Sequence, residues 1–306
     1  VTIQQLIIKC FGLSRSDHYW VRPENSGLEW SKINFFENNF TSDIGVILFG
    51  GDSKHIDINA NSPDNTSDGN LKKRWIISEN EVRYLLKGGD LPFFKEPYNE
   101  VIASEFCERL NIPHVPYTLT PDNLCLCPNF LSADNEFISA FYIKKLFDKS
   151  DDISEYEHFI FCAEKLGIKN ARADTEKMLV VDYILANSDR HYRNFGAIRN
   201  ADTLEWQSMS PIFDNGGILW HNVYNPHTAN DISKPFLPTH SEQIKLVKNL
   251  SWFDETKLDY FTDCISELLE KNELTAETPE RTDKICTEVR RRIDFVANLK
   301  HSIAPK

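Results

Sequence analysis

Two short polar segments in the second half of the chain constrain its fold more than any other feature. Asp189-Arg-His-Tyr-Arg-Asn194 comes first, and Pro211-Ile-Phe-Asp214 follows it. Between them the composition predicts short strands and a hairpin turn, at residues 195–198, 204–207 and 210–213 and at Asn200-Ala-Asp202. A loop followed by such a hairpin returns Asp214 to the neighbourhood of Asp189 and Asn194.

The types of these three residues fit phosphoryl transfer. A hydroxyl that attacks the γ-phosphate of ATP needs a carboxylate to position it, and Mg²⁺ bound to the phosphates needs a carboxamide oxygen and a second carboxylate. Asp189 fits the first role, and Asn194 and Asp214 fit the metal-binding roles. Each residue alone fits a helix cap or a plain turn equally well. Their order around a hairpin favours a kinase.

The same segments resemble the HipA family of bacterial serine/threonine kinases. Asn187-Ser-Asp-Arg-His-Tyr-Arg-Asn194 is similar to the family's Asn-x-Asp-Arg-His-x-x-Asn signature, and residues 211–214 are similar to its metal-binding segment. Asp68-Gly-Asn-Leu-Lys-Lys-Arg-Trp75 and Glu100-Val-Ile-Ala-Ser104 also fit, so the resemblance covers most of residues 60–240. The Asp-Arg-His-x-x-Asn pattern also occurs in phosphoinositide lipid kinases.

The order of predicted elements indicates an α+β fold. Strands are predicted first, with one helix among them, at residues 74–78, 82–87, 96–110 (the helix), 115–120 and 124–130. From about Glu136 the signal becomes helical, notably at residues 155–166, 174–186, 255–271 and 279–300. The resemblance implies a two-lobed protein-kinase-like fold, with a strand-rich N-lobe over residues 1–133 and a helical C-lobe over residues 134–306.

Lys87 is the candidate cation for the phosphates. It ends the apolar strand Tyr84-Leu-Leu-Lys87, so its stem can lie along the core while its ammonium reaches the cleft. There it would pair with the α- and β-phosphates and with a carboxylate on a helix. By resemblance Glu100 is the favoured catalytic partner, with Glu96 and Glu105 as alternatives. The alternative is a solvated lysine that follows a strand and has no role in binding.

The nucleotide-binding loops lack a standard signature. Neither Gly-x-Gly-x-x-Gly nor Gly-x-x-x-x-Gly-Lys-Ser/Thr occurs in the sequence. The resemblance implies a phosphate-binding loop made by Thr66, Ser67, Asp68 and Gly69, with autophosphorylation at Thr66 or Ser67. It also implies that backbone groups of Pro128 and Phe130 bind the adenine edge where the chain crosses between the lobes.

Composition limits the partners. The formal net charge is −12, which argues against direct nucleic-acid binding because a phosphate backbone is held mainly by Lys and Arg. No apolar run approaches the roughly 20 residues that a membrane helix needs, and the N-terminal residues lack the form of a secretion signal. The seven cysteines have no disulfide-like pattern, so we expect reduced thiols in a cytoplasm.

These observations together predict an ATP- and Mg²⁺-dependent kinase that acts on serine or threonine of a protein substrate. The resemblance implies a toxin–antitoxin-like system with an antitoxin-like partner protein. Two alternatives stay open. One is a phosphoinositide-type lipid kinase, and the other is an inactive nucleotide-binding module that interacts through its aromatic N-terminal layer, residues 1–50.

Overall fold

The computed structural model describes residues 11–22, 24–40, 63, 72–90, 94–223, 225–226, 231–272 and 278–303. The strands in these ranges are β1 Lys73–Ile77, β2 Arg83–Lys87, β3 Thr118–Leu119, β4 Cys125–Pro128, β5 Asn135–Ser139, β6 Gly196–Asn200 and β7 Trp206–Met209. The helices are α1 Trp30–Ile33, α2 Glu96–Arg109, α3 Ala140–Ile143, α4 Glu155–Lys165, α5 Ala171–Leu185, α6 His240–Gln243, α7 Phe261–Glu270 and α8 Pro279–Ile303. Two 3-10 turns span Ile244–Leu246 and Glu255–Leu258.

The first sheet has four strands in the order β1-β2-β4-β3, and each neighbouring pair is antiparallel. Lys73 pairs with Lys87 and Trp75 pairs with Leu85, while Leu85 also pairs with Cys127 of β4. Paired residues share a face of the sheet, and side chains alternate along each strand. These five side chains therefore share one face, and all five line the large cleft of the molecule.

Helix α2 is buried on most of its surface because it packs against β3 and β4 on one side and against α5 and α7 on the other. Pro97 lies in its first turn, where a missing backbone N–H costs nothing. Ile102 and Phe106 are fully buried, and the polar residues Asn99 and Glu100 are buried with them. The helix predicted at residues 96–110 is confirmed, and its burial places a carboxylate inside the molecule.

Helix α5 is the centre of the helical part and contacts α2, α4, α6 and α8. Val180, Val181 and Ile184 are almost completely buried. After Leu185 the chain turns at Ala186, which has a left-handed φ of 54° and ends the helix in the manner of a C-terminal cap. This turn directs the next residues toward the cleft. The helices predicted at residues 155–166, 174–186 and 279–300 are confirmed with small shifts at their ends.

A second sheet, with the order β5-β6-β7, corrects the prediction that the chain becomes helical at Glu136. Strand β5 pairs with β6, and the buried Glu136 accepts a hydrogen bond of 2.8 Å from Arg199 on that strand. A Cβ added at Gly196 would lie 2.2 Å from the carbonyl oxygen of Ile138. Glycine therefore permits the close pairing of the two strands.

Two other predictions were wrong in part. Residues 210–213 do not form a strand, and only Ile212 makes a bridge, to His114. The single helix predicted at residues 255–271 is divided into the 3-10 turn and α7, because Tyr260 has a left-handed φ of 60°. The side chain of Asp254 caps the 3-10 turn by accepting a hydrogen bond from the backbone N–H of Thr256, which favours a separate short element.

The described part of the aromatic N-terminal layer, within residues 11–40, bridges both sheets. Phe36 packs with Leu131 and with Ile198 of β6, and the backbone N–H of Phe137 in β5 donates to the carbonyl of Ser16 at 2.9 Å. The layer also contacts the four-stranded sheet, because the carbonyl of Phe35 accepts a hydrogen bond of 3.0 Å from Arg83 of β2. Residues 1–10 and 41–50 lie outside the described ranges.

The chain passes from the four-stranded sheet to the three-stranded sheet at residues 129–134. The division into an N-lobe of residues 1–133 and a C-lobe of residues 134–306 remains a prediction, since strand order does not define independent folding units. In the ranges that the structure describes, none of the helices combines the length and apolarity needed to cross a bilayer.

Candidate active site

A cleft of about 1190 Å³ separates the four-stranded sheet from the helical part. Trp75 and Lys87 line it from the sheet, and Asp189, Asn194 and Asp214 line it from the opposite wall. The opposite wall consists of the segment after α5 and the segment after β7. The structure therefore brings four of the predicted site side chains to one cavity.

Lys87 is held between two carboxylates. Its Nζ donates to Glu100 Oε1 at 2.8 Å and to Asp214 Oδ1 at 2.8 Å. The lysine is 9% exposed and the glutamate 2% exposed, while the ammonium also lies 5.3 Å from the ring centre of Tyr117. Strand β2, helix α2 and the segment after β7 thus meet at one ammonium group.

The charges of this cluster follow from its geometry. Burial lowers the pKa of Lys87, but the carboxylates of Asp214 and Glu100 outweigh burial and raise this pKa well above its usual value. Burial raises the pKa of Asp214, but the cations Lys87 and Arg190 outweigh it and hold this pKa below its usual value. At Glu100 burial dominates and raises the pKa despite the nearby ammonium. Lys87 and Asp214 therefore form an ion pair at neutral pH.

The backbone around Asp214 is fixed in an unusual conformation. Asp214 has a left-handed φ of 58°, which aspartate tolerates better than most residues. Its N–H donates to the hydroxyl of Tyr117 at 3.0 Å, and the N–H of Asn215 donates to Glu100 Oε2 at 2.7 Å. Glu100 therefore positions both the cation and the chain that carries Asp214.

A buried guanidinium joins the two polar segments. Arg190 is fully buried, and its Nε and Nη2 each donate to Asp182 at 3.0 Å. Its Nη1 donates to the carbonyls of Asn194 at 3.0 Å and Phe213 at 2.6 Å, and Nη2 also contacts the side chain of Asn215. One side chain therefore sets the separation between the loop of residues 189–194 and the segment ending at Asp214. This geometry gives Arg190 a structural role.

Asp189 projects from a tightly held turn. Asn187 donates to Asp182 at 3.0 Å and accepts the backbone N–H of Asp189 at 3.0 Å. A Cβ added at Gly217 would lie 3.1 Å from Asp189 Cβ, so glycine permits the close approach of that chain. The Asp189 side chain itself is 56% exposed, and its Oδ1 accepts a hydrogen bond from Lys234 at 3.0 Å.

Asn194 and Asp214 have the donor atoms that Mg²⁺ prefers. Asp214 commits Oδ1 to Lys87, and its side chain is 39% exposed to the cleft. The Asn194 carboxamide lines the same cleft and makes no hydrogen bond to the described residues. No cluster of three or more His, Cys, Asp or Glu side chains in the described ranges is suited to a metal. One carboxylate and one carboxamide are suited to a Mg²⁺ ion whose remaining ligands are phosphate oxygens and water molecules.

The other end of the cleft is apolar and aromatic. Pro128 and Phe130 line it at the crossing between the two sheets. The Phe130 ring lies 5.5 Å from that of Phe213, and the Phe137 ring lies 5.4 Å from Phe213. An apolar pocket of this kind suits a planar base. The adenine contacts expected of the Pro128 and Phe130 backbones remain a prediction.

The remaining predicted residues divide into two groups. The four residues of the predicted phosphate loop lie outside the described ranges, namely Thr66, Ser67, Asp68 and Gly69. The two alternative partners of Lys87 are engaged elsewhere. Glu96 accepts the backbone N–H of Asp90 at 3.1 Å, and Glu105 accepts a hydrogen bond from Arg109 at 2.8 Å.

The sequence motifs do not identify three further residues that line the cleft. Tyr117 lies outside the regular strands, and Lys234 lies in a loop between elements. Arg15 is 5% exposed and lies 4.9 Å from the rings of both Phe36 and Trp75. Burial, with a contribution from a neighbouring arginine, lowers the pKa of Arg15 to about 9. Its placement among the N-terminal aromatic residues was the one available hint.

Comparison with known proteins supports the fold. No protein-family model matches the sequence, and no curated protein matches it. Among solved structures, the chain is similar to the Helicobacter pylori proinflammatory kinase CtkA, with 15% identity over 78% of this chain and 94% of that chain and a TM-score of 0.58.

Two further solved structures are similar at lower scores. One is HipA of Shewanella oneidensis, in a toxin–antitoxin complex with HipB and operator DNA. The match covers 92% of this chain and 76% of that chain, with 12% identity and a TM-score of 0.49. The match to a Golgi casein kinase with Mn and ADP bound covers 78% of this chain and 72% of that chain, with 14% identity and a TM-score of 0.42. The likeness to CtkA shows that this chain has the two-lobed, protein-kinase-like fold that its HipA-type motifs imply.

Proposed function

We propose that this protein is an ATP- and Mg²⁺-dependent protein serine/threonine kinase. The observation that carries the proposal is the position of Lys87 Nζ, 2.8 Å from both Glu100 and Asp214. Kinases require a strand lysine, a helix glutamate and a metal-binding aspartate in place together. Asp189 and Asn194 line the same cleft, which supplies the two other groups that the reaction needs.

The proposed reaction assigns one role to each group. Asp189 positions the serine or threonine hydroxyl and accepts its proton while the oxygen bonds to the γ-phosphorus of ATP. The bond from that phosphorus to the β,γ-bridging oxygen breaks, and ADP leaves. Lys87 holds the α- and β-phosphates, and Glu100 orients Lys87. Positioning of this kind is worth about 7–11 kcal/mol for well-oriented reactants.

Asn194 and Asp214 would hold Mg²⁺, which would supply positive charge to neutralise the phosphates. The ionised state of Asp214 supports this assignment, because a protonated carboxyl binds metal poorly. Arg190 keeps the backbones of both metal-binding residues at a fixed spacing through hydrogen bonds of 3.0 Å to Asn194 and 2.6 Å to Phe213.

The finer parts of the proposal rest on the sequence motifs. The HipA resemblance supports serine or threonine as acceptor and an antitoxin-like protein partner. The six described cysteines are free, which is typical of proteins in a reducing cytoplasm. The net charge of −12 disfavours anionic membranes and nucleic acid as the acceptor surface.

Incubation of the purified protein with labelled ATP and Mg²⁺ tests the proposal. One arm contains no other acceptor, a second contains bacterial lysate, and a third contains phosphoinositide vesicles. We expect label on serine or threonine of protein, lost when EDTA replaces Mg²⁺. Label on lipid, with no labelled protein in either of the first two arms, would instead assign a lipid kinase.

A further inference from the structure

Lys234 makes an ion pair with the candidate catalytic carboxylate. Its Nζ lies 3.0 Å from Asp189 Oδ1, and both side chains are about half exposed, at 48% and 56%. An exposed pair of this kind contributes little to folding stability, typically about 0.2–1 kcal/mol. The contribution of this ion pair to folding stability is therefore too small to explain why the lysine lies beside Asp189 in the cleft.

The backbone that carries Lys234 is held by one buried amide. The Gln243 side chain is 2% exposed, and its Nε2 donates to the carbonyl of Lys234 at 2.7 Å and to the hydroxyl of Ser233 at 2.7 Å. Its Oε1 accepts the backbone N–H groups of Phe236 at 2.8 Å and Leu237 at 3.3 Å. A single side chain from α6 thus fixes the whole segment on both sides of Lys234.

Aromatic packing fixes the same segment relative to the loop of Asp189. The buried Phe236 ring lies 5.7 Å from Tyr192 and 6.0 Å from Phe195. Tyr192 belongs to the segment between Asp189 and Asn194, and Phe195 follows it directly. Such ring pairs at about 4.5–7 Å pack favourably. The lysine and the carboxylate are therefore positioned by shared, buried anchors rather than by their exposed ion pair.

We propose that Lys234 contacts the transferring γ-phosphoryl group and neutralises charge that develops on its oxygens. This inference rests on the proposed kinase function, because it needs a phosphoryl group beside Asp189. Lys87 is engaged by Glu100 and Asp214, and the guanidinium of Arg193 lies over Phe141, 4.8 Å from its ring centre. Among the lysines that the structure describes, Lys234 is the one whose ammonium donates a hydrogen bond to Asp189.

The proposed step conserves atoms and charge. The acceptor oxygen forms a bond to the γ-phosphorus, and Asp189 takes the hydroxyl proton. The bond to the β,γ-bridging oxygen breaks, and its electrons stay with ADP. Lys234 remains protonated throughout and moves its hydrogen bond from the carboxylate to a γ-phosphoryl oxygen. Loss of one such donor commonly lowers turnover about 100- to 1000-fold.

Three variants of the full chain test this role, namely Lys234→Met, Lys234→Arg and Lys245→Met. Lys245 is an exposed lysine of the neighbouring 3-10 turn and serves as the matched control. ADP formation from ATP measures turnover, and calorimetry measures the affinity for ADP and for a non-hydrolysable ATP analogue, all with Mg²⁺.

We expect Lys234→Met to lower turnover on the order of 100-fold and to lower the affinity for the ATP analogue, while the affinity for ADP stays within about two-fold of the wild-type value. Lys234→Arg should recover part of the loss, and Lys245→Met should match the wild type. If Lys234→Met keeps the wild-type turnover, or loses as much affinity for ADP as for the ATP analogue, the role proposed for Lys234 is wrong. The proposed kinase function is not contradicted by either result. A wild-type protein that forms no ADP and binds no nucleotide overturns the proposed function instead.

Discussion

Lys87 and Asp214 lie 127 residues apart in the sequence, and the ammonium of one donates to the carboxylate of the other at 2.8 Å. The contact joins a strand of the four-stranded sheet to the segment after β7, across the cleft. Glu100 holds the same ammonium from helix α2 at 2.8 Å. The two walls of the cleft are thus connected through one charged group.

Replacement of Lys87 by Met should lower both nucleotide affinity and stability, because it leaves two carboxylates close together without their cation. Breaking a buried pair of this kind costs about 3–5 kcal/mol, and the partial exposure of Asp214 places the expected loss at the lower end. The double variant Lys87→Met with Glu100→Gln should regain stability but not nucleotide binding. Urea denaturation and ADP calorimetry measure the two effects.

Lys72→Met is the matched control for this experiment, since Lys72 is an exposed residue just before β1. It should retain both stability and affinity. Equal stability of Lys87→Met and the wild type would show that the three-group cluster does not hold the cleft walls together.

Arg190 and Asp182 should behave as a buried structural pair. Arg190→Met leaves the fully buried Asp182 carboxylate without its cation and should cost about 3–5 kcal/mol. Arg172→Met removes an exposed pair with Glu157 and should cost less than about 1 kcal/mol. Urea denaturation compares the two, and similar losses would contradict the central position given to Arg190.

Adding Asp182→Leu to Arg190→Met should recover part of the stability, because the unpaired carboxylate is then gone. Turnover should not recover, since the carbonyls of Asn194 and Phe213 still lack their donor. Recovery of both properties would mean that Arg190 does not space the metal-binding residues.

The pH dependence of stability should carry the signature of the ion pair. The pKa of Asp214 is lowered, so its contribution is present above its usual value of 3.8 and is lost as the pH falls through the lowered value. The pKa of Lys87 is raised, so its contribution is complete below 10.5 and is lost as the pH rises through the raised value.

Burial already raises the pKa of Glu100, and loss of Lys87 should raise it further, so the stability difference between the wild type and Lys87→Met should grow as the pH rises from about 5 through that raised value and should not shrink below about pH 10. Denaturation curves at several pH values provide the measurement. A difference that disappears between pH 7 and pH 9 would show that Lys87 loses its proton there, against the expected direction.

The sequence predicts the elements whose signals are local. Helix α2 has a proline in its first turn and apolar residues at helical spacing, and the Asp189 segment follows an apolar helix. Strand β5 was missed because the buried Glu136 hides its apolar pattern and its partner, Arg199, lies far along the chain. The position of Lys234 depends on the distant Gln243 amide and the Phe236 ring, which no local pattern records.

A direct test of the central claim separates the roles of Asp189 and Asp214. Asp189→Asn should lower phosphoryl transfer about 100- to 10,000-fold and leave Mg²⁺-dependent ADP binding nearly unchanged, because the hydroxyl loses its base while the metal ligands remain. Asp214→Asn should lower both transfer and Mg²⁺-dependent ADP binding. Undiminished transfer by Asp189→Asn, in a preparation whose wild type transfers phosphate, would contradict the assignment of this cleft as the active site.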